Sequence, residues 1–117
     1  MEYVSYEEFK KLDIRVGTIK MVEPVADTDK LLKCMVDTGD KTEDGEMKLR
    51  QIVSGIHEYY PEYEKLIGKQ VLYIVNLEPR IIKGIESQGM LMAVDGKDIN
   101  PVFLVPEIEV YSGAKVR

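Results

Sequence analysis

Alternating apolar and polar residues predict β-strands along most of the chain. Five such segments, separated by turns that contain glycine, proline or aspartate, cover residues 13–21, 32–37, 47–54, 71–77 and 90–94. In the second segment, Leu32, Cys34 and Val36 occupy one face and are expected in the core. The polar stretch 38–45 joins the second and third segments, which predicts a β-hairpin.

The first segment is predicted to contain a β-bulge. Ile14, Val16, Ile19 and Met21 share one face only if one extra residue interrupts the alternation. Gly17 is the predicted position of that bulge, which would let the strand bend and join both halves of a small barrel.

Two short helices are predicted beside the strands. Ser5 and Glu8 form a capping box, so a first helix is expected from there to about Leu12. A second helix is predicted over 61–67, where a proline occupies the first turn. Five strands with a helix between the third and fourth are typical of an all-β, five-stranded OB-fold barrel, which binds oligonucleotides and oligosaccharides.

The length predicts one domain over 1–117, with the barrel at about 13–95 and a C-terminal extension at 96–117. The net charge of −5 lowers the affinity for RNA expected from charge alone, because Lys and Arg must neutralise phosphates. Much of the acid clusters in 37–46 and 58–64, so a local basic face remains compatible with the sequence.

The residues that most often perform catalysis or bind metals are scarce. With one cysteine, Cys34, and one histidine, His57, no disulfide, metal site or other cofactor is expected. Without a nucleophile motif or a phosphate-binding loop, the chain is not expected to be an enzyme. The longest apolar run, 71–75, is too short to cross a bilayer, and the acidic N-terminal segment is unlike a secretory signal. A cytoplasmic protein is therefore expected.

Six short segments carry a resemblance to a known family. They are DIRVG at 13–17, DKLL at 29–32, RQIVSGI at 50–56, GKQV at 68–71, VNLEPR at 75–80 and KGIESQGM at 83–90. In this order they are similar to a tRNA-binding domain found in free-standing structure-specific tRNA-binding proteins and in the beta subunit or C-terminal domain of methionyl-tRNA synthetases. Related eukaryotic synthetase cofactors share it.

The resemblance implies an OB-fold that recognises tRNA by shape, has no catalytic role and often forms a homodimer. It also makes the catalytic subunit of methionyl-tRNA synthetase a candidate partner. By resemblance, the positions that contact tRNA are Lys30, Arg50, Asn76, Arg80, Lys83, Ser87 and Met90.

Periodicity adds a predicted basic stripe on the second and third strands. One face of the third strand carries Lys48, Arg50, Ile52 and Ser54, and the other carries Met47, Leu49, Gln51 and Val53. The charges favour the second set as the core face. Lys33, which alternates away from the core on the neighbouring strand, is then expected to converge with Lys48 and Arg50 on phosphate.

The loop between the fourth and fifth strands is the other half of the predicted site. Gln88 joins Asn76, Arg80, Lys83 and Ser87 there as donors for phosphate, 2′-hydroxyl or base-edge contacts.

Two positions depart from the family pattern. Glu78 stands where relatives often have lysine, and a carboxylate there should weaken binding to phosphate. The segment 24–29 lacks the proline-asparagine stretch of many relatives, so the first loop is expected to have a different shape.

Other interpretations stay open for the same residues. Lys30, Lys33 and Lys48 also suit an ordinary solvated sheet face, and Ser87 and Gln88 also suit a glycine loop whose side chains satisfy backbone groups. A secretion-related export chaperone shares the fold and would bind extended polypeptide instead. A homodimer would bury the apolar side chains of the first helix and the tail, namely Tyr6, Phe9, Phe103, Leu104 and Val110.

Overall fold

Antiparallel strands curve into a barrel in a computed structural model that describes residues 1–117. The elements, in chain order, are α1 Tyr6–Lys10, β1 Ile14–Pro24, β2 Leu32–Asp37, β3 Arg50–Ser54, a 3-10 turn Tyr63–Leu66, β4 Gln70–Ile74, β5 Arg80–Ile82, β6 Ile85–Ser87, β7 Met90–Leu91, β8 Ala93–Gly96 and β9 Ile99–Phe103.

Five strands form the barrel, in the order β3-β2-β1-β4-β7. The two ends of this sheet approach each other just before β7, where Gln88 N donates to Gln51 O of β3 at 2.7 Å. The barrel is therefore nearly closed, with β7 as its fifth strand. The predicted all-β OB-fold is confirmed.

The core fills the inside of this barrel. Its buried members are Ile19, Leu32, Cys34, Val36, Ile52, Ile56, Leu66, Val71, Tyr73 and Val75. The prediction that alternating residues of β2 face the core is confirmed, because all three are at most 2% exposed.

Both predicted helices are present in shortened form. Ser5 Oγ accepts from Glu8 N at 3.1 Å and caps α1, as the capping box predicts. The prediction of the second helix is wrong in the type of helix and in its first residue, because the structure has a single 3-10 turn there. Leu66 is the only buried residue of this turn. One buried side chain makes no apolar stripe, so nothing stabilises a longer α-helix there.

The bulge in β1 exists, but it lies at Lys20 and not at Gly17. Ile19 pairs with Val36 and Met21 with Met35, which leaves Lys20 as the extra residue. Gly17 serves a different purpose: a Cβ there would lie 2.6 Å from Val36 Cγ1. Glycine is needed at this position because the strands approach too closely for a side chain.

The C-terminal segment belongs to the sheet. Gly113 N donates to Val16 O at 2.7 Å, and Val116 N donates to Ile14 O at 2.9 Å. The tail thus pairs with the edge of β1 that β2 leaves free, and protects its backbone groups from solvent.

Two hairpins occupy the chain after β4. The first, β5–β6, turns at Lys83 and Gly84, both with positive φ (51° and 80°), which is the geometry of a two-residue hairpin turn. This hairpin replaces most of the predicted loop. The predicted fifth strand is split into β7 and β8, and β8 forms a second hairpin with β9.

Candidate nucleic-acid interface

A groove of about 650 Å³ lies between the β5–β6 hairpin and the end of β3. Its apolar lining includes Leu31, Val53, Ile56, Leu77, Ile82, Met90, Leu91, Met92 and Leu104. Arg80, Glu78 and Asp95 supply its charged groups. A concave apolar surface with a few charges is the usual form of a ligand site.

Arg80 and Lys83 are the free cations of the hairpin. Both side chains are exposed and neither forms an ion pair or hydrogen bond within the chain. Arg80 lines the groove, whereas Lys83 occupies the turn in a left-handed conformation that glycine or asparagine adopts more readily. Their donors are available to an external anion.

A second, more polar crevice of about 390 Å³ lies beside the groove, and both contain Leu77. Lys41 and Lys48 line the crevice, and both are exposed and unpaired. Lys48 was among the predicted contacts, but Lys41 was not. The sequence gives no sign of a basic surface at Lys41, because this lysine lies among five acidic residues in 37–46.

The predicted stripe of Lys33, Lys48 and Arg50 does not form. Lys33 pairs with Val53 and Cys34 with Ile52, so the Arg50–Ile52 face of β3 points toward the core. The predicted assignment of the two faces of β3 is therefore wrong. Lys33 lies on the opposite face.

Lys33 is also engaged locally. Its Nζ lies 2.5 Å from Glu23 Oε1, on the neighbouring strand β1. The pair neutralises the lysine, so Lys33 adds little to any positive surface.

Arg50 is occupied within the protein. Its Nε and Nη2 donate to Asp40 Oδ2 at 3.1 and 2.8 Å. Its Nη1 donates to Val75 O at 3.0 Å and to Gln88 O at 2.9 Å. The side chain is 22% exposed. A guanidinium with these partners is not free for a phosphate, and its pairing with Asp40 explains how an arginine shares a face with the core.

Asp40 connects two arginines. Its Oδ1 lies 3.0 Å from Arg15 Nη1, and Arg15 also binds Asp13 through two hydrogen bonds of 3.0 and 2.8 Å. Partial burial raises the pKa of Asp40, but hydrogen bonds and charge from Arg50, with help from Thr38 and Arg15, lower it below its usual range overall. The hydrogen bond from Arg15 likewise lowers the pKa of Asp13.

Asn76 holds the start of β1 in place. Its Oδ1 accepts from Asp13 N at 2.8 Å, and its Nδ2 donates to Lys11 O at 2.6 Å. The predicted RNA-binding amide therefore satisfies backbone groups of the link between α1 and β1.

Ser87 and Gln88 attach the hairpin to β3. Ser87 Oγ, which is buried, accepts from Val53 N at 2.9 Å. Gln88 Oε1 accepts from Gln51 N at 3.0 Å, and Gln88 Nε2 donates to Glu86 Oε1 at 3.0 Å. These contacts match the alternative interpretation, in which the side chains of the loop satisfy backbone groups, here those of β3.

Lys30 and Met90 complete the predicted set. Lys30 is exposed, forms no ion pair and precedes Leu31 of the groove. Met90 lines the groove and is 45% exposed. Accessible side chains are therefore found at Lys30, Lys48, Arg80, Lys83 and Met90 among the predicted contacts.

The residues suited to other chemistry are not assembled into a site. No three His, Cys, Asp or Glu side chains are grouped to hold a metal ion. Burial raises the pKa of the Cys34 thiol to about 11, which keeps it protonated and unreactive. None of the helices has the length and apolar character needed to span a membrane.

Solved structures define the class of protein to which this fold is similar. The crystal structure of a MetRS related protein from Pyrococcus horikoshii superposes with a TM-score of 0.86 and 37% identity, over the whole of both chains. The crystal structure of chaperone CsaA from Bacillus anthracis superposes with a TM-score of 0.81 and 27% identity, over 99% of this chain and 100% of that one.

Sequence comparison identifies the family. The family model described as "Putative tRNA binding domain" matches residues 14–115, and the chain belongs to this family. A methionine–tRNA ligase from Thermococcus kodakarensis is 44% identical over 117 residues, which are all of this chain and 15% of the ligase. The chain spans about 15% of the length of these methionine–tRNA ligase relatives. The resemblance stated from the sequence motifs is confirmed.

Proposed function

We propose that this chain binds folded tRNA along the surface that runs from the β5–β6 hairpin, over the groove, to the polar crevice. The observation that carries the proposal is a set of exposed, unpaired cations: Arg80 lines the groove, Lys41 and Lys48 line the crevice, Lys83 lies in the turn of the hairpin, and Lys30 precedes Leu31 of the groove. They stand on the OB-fold surface near β3, which is the general ligand-binding side of this fold.

Each part of the surface suits a different feature of RNA. The cations suit phosphates, which position an RNA without reading its sequence. The apolar groove beside Arg80 suits an unstacked base or the face of a ribose, with Met90 in contact. Together they favour recognition of RNA shape.

The proposed role is auxiliary. In the methionine–tRNA ligase relatives this region covers a small part of a longer chain, so the catalytic site for aminoacylation lies elsewhere in the proposed assembly. A module without its own active site would raise the local concentration of tRNA near a methionyl-tRNA synthetase catalytic subunit. The proposed compartment is the cytoplasm.

We also propose a homodimer. Exposed apolar side chains in the N-terminal and C-terminal segments support it, among them Tyr6 (69%), Ile108 (72%) and Tyr111 (77%). Phe103 is only partly exposed, and one face of its ring stacks on Tyr60 with ring centroids 4.7 Å apart. Sedimentation at micromolar concentration should show a dimer, and a monomer alone would contradict this proposal.

Polypeptide binding is a second candidate. The apolar lining of the groove and the similarity to chaperone CsaA favour it. An extended apolar segment would fill the groove without using Lys41 or Lys48.

One titration separates the two candidates. The purified chain is mixed with folded tRNA, an RNA duplex, single-stranded RNA or an unfolded polypeptide at several salt concentrations. We expect the tightest binding to tRNA, with an affinity that falls steeply with salt. Equal affinity for the duplex would contradict recognition of tRNA shape, and preference for the polypeptide would favour the second candidate.

A further inference from the structure

The segment 76–87, which carries the β5–β6 hairpin, has both of its ends attached to one side chain. Val75 immediately precedes the segment and Gln88 immediately follows it. Arg50 Nη1 donates to the carbonyl oxygens of both, at 3.0 and 2.9 Å. A single guanidinium thus closes the base of the hairpin.

Asp40 sets the orientation of that guanidinium. Two of the hydrogen bonds from Arg50 end on Asp40 Oδ2, on the edge away from Val75 and Gln88. The planar fork of arginine fits both edges at once, whereas a lysine ammonium has no fixed geometry of this kind. Asp40 is itself held by Arg15 Nη1 and by Thr38 Oγ1, at 3.0 and 3.1 Å.

We propose that Asp40 and Arg50 are positioning residues, which hold the hairpin so that Arg80 and Lys83 meet the RNA at a defined spacing. This inference rests on the proposed tRNA-binding function. The pair acts through the hairpin. Both residues line the polar crevice, but their charged groups are bonded to each other and to backbone carbonyls, so Asp40 aids the binding of a polyanion despite its negative charge.

The direction in which one substitution changes the affinity for tRNA tests this proposal. Asp40→Asn removes a negative charge and releases Arg50, so a simple charge argument, or direct phosphate binding by Arg50, predicts tighter binding of tRNA. The positioning role predicts weaker binding, by about tenfold, because a mobile hairpin must be ordered when RNA binds.

Asp44→Asn is the matched control. Asp44 lies in the same turn, carries the same charge, is exposed and forms no hydrogen bond or ion pair through its side chain. Its substitution should leave the affinity unchanged or raise it slightly. Arg50→Lys is the second test variant: it keeps the positive charge and the salt dependence, yet it should weaken binding as Asp40→Asn does.

Amide hydrogen exchange of the free protein gives a readout that does not involve RNA. We expect faster exchange in 80–87 for Asp40→Asn and Arg50→Lys than for the wild type and Asp44→Asn, with unchanged exchange in the β8–β9 hairpin, to which neither Asp40 nor Arg50 is hydrogen-bonded. Exchange in 80–87 equal to that of the wild type would overturn the positioning role, whether or not RNA binds.

The remaining outcomes are distinguishable. Faster exchange together with an affinity for tRNA equal to or above that of Asp44→Asn would overturn the claim that the pair serves RNA binding. If the wild type itself fails to bind tRNA, the proposed function is wrong, while the exchange data still decide whether Asp40 and Arg50 fasten the hairpin.

Discussion

Arg50 and Arg80 carry the same guanidinium group but lie in opposite surroundings. Arg50 is 22% exposed and donates to Asp40 and to two backbone carbonyls at the base of the β5–β6 hairpin. Arg80 is exposed on the hairpin itself and has no partner within the chain. The comparison shows that the number of basic residues says little about RNA binding here, since the fold decides which of them remain available.

The largest effect on the affinity for tRNA is expected from the cations of the β5–β6 hairpin. Replacing both Arg80 and Lys83 by Ala should lower the affinity for tRNA about 100-fold, because two charge-assisted contacts are lost. The slope of log affinity against log salt should decrease by about 1.5, as two phosphate contacts disappear. Filter binding or fluorescence anisotropy across salt measures both quantities.

Lys20→Ala serves as the control for this variant. Lys20 is exposed and unpaired but lines neither the groove nor the crevice. If it weakened binding as much as the double variant, overall charge and not the hairpin would determine affinity.

A smaller effect is expected at Glu78. Its carboxylate lines the groove near Arg80, so Glu78→Lys should tighten tRNA binding about fivefold by removing repulsion and adding attraction. Glu64→Lys makes the same change of charge on the 3-10 turn, outside both depressions. Equal gains in the two variants would show that Glu78 has no local influence on the site.

The ion pairs around Arg50 and Arg15 should make the stability of the fold depend on pH. The pKa values of Asp13 and Asp40 are lowered in the folded state, so both carboxylates stabilise the fold above the ordinary aspartate pKa of about 4. That contribution is lost as the pH falls through the lowered folded-state pKa values. Denaturant unfolding between pH 7 and pH 2 should show a smaller loss of stability for Asp40→Asn than for the wild type, and parallel curves would contradict this assignment.

The smallest effect is expected at Lys33. Because it pairs with Glu23 on the face opposite Arg50, Lys33→Ala should change the affinity for tRNA by less than about twofold. A tenfold loss of affinity in the same assay would show that Lys33 contacts tRNA, and would contradict a binding surface that excludes the face of Lys33.

Local patterns predicted those parts of the fold that depend on near neighbours in sequence. The cap of α1 involves Ser5 and Glu8, three residues apart, and the core face of β2 follows from strict alternation. The predicted core face of β3 is wrong for two reasons. Ile52 and Val53 lie on opposite faces and are both buried, so apolar residues alone do not distinguish the faces. The charge of Arg50 then favours the face of Val53, although the face of Arg50 and Ile52 is the one that points into the core.

Only part of the candidate site can be predicted from the sequence. Arg80 and Lys83 were found from the family motifs, and the structure leaves both side chains free. The motifs miss Lys41, since the crevice that it lines together with Leu77 forms only in the folded chain. The sequence predicts Asn76, Ser87 and Gln88 as donors to RNA, but their polar atoms contact backbone groups or a side chain of the same fold.

The barrel, its family and the positions of the hairpin cations follow from the sequence alone, because alternation, capping and short motifs are local properties. Which of the charged side chains remain available depends instead on contacts between distant parts of the chain. Asp40 neutralises Arg50 ten residues away, and Arg50 reaches carbonyls 25 and 38 residues away in the chain. Such pairings depend on distances that form when the barrel closes, and no pattern along the chain encodes them separately.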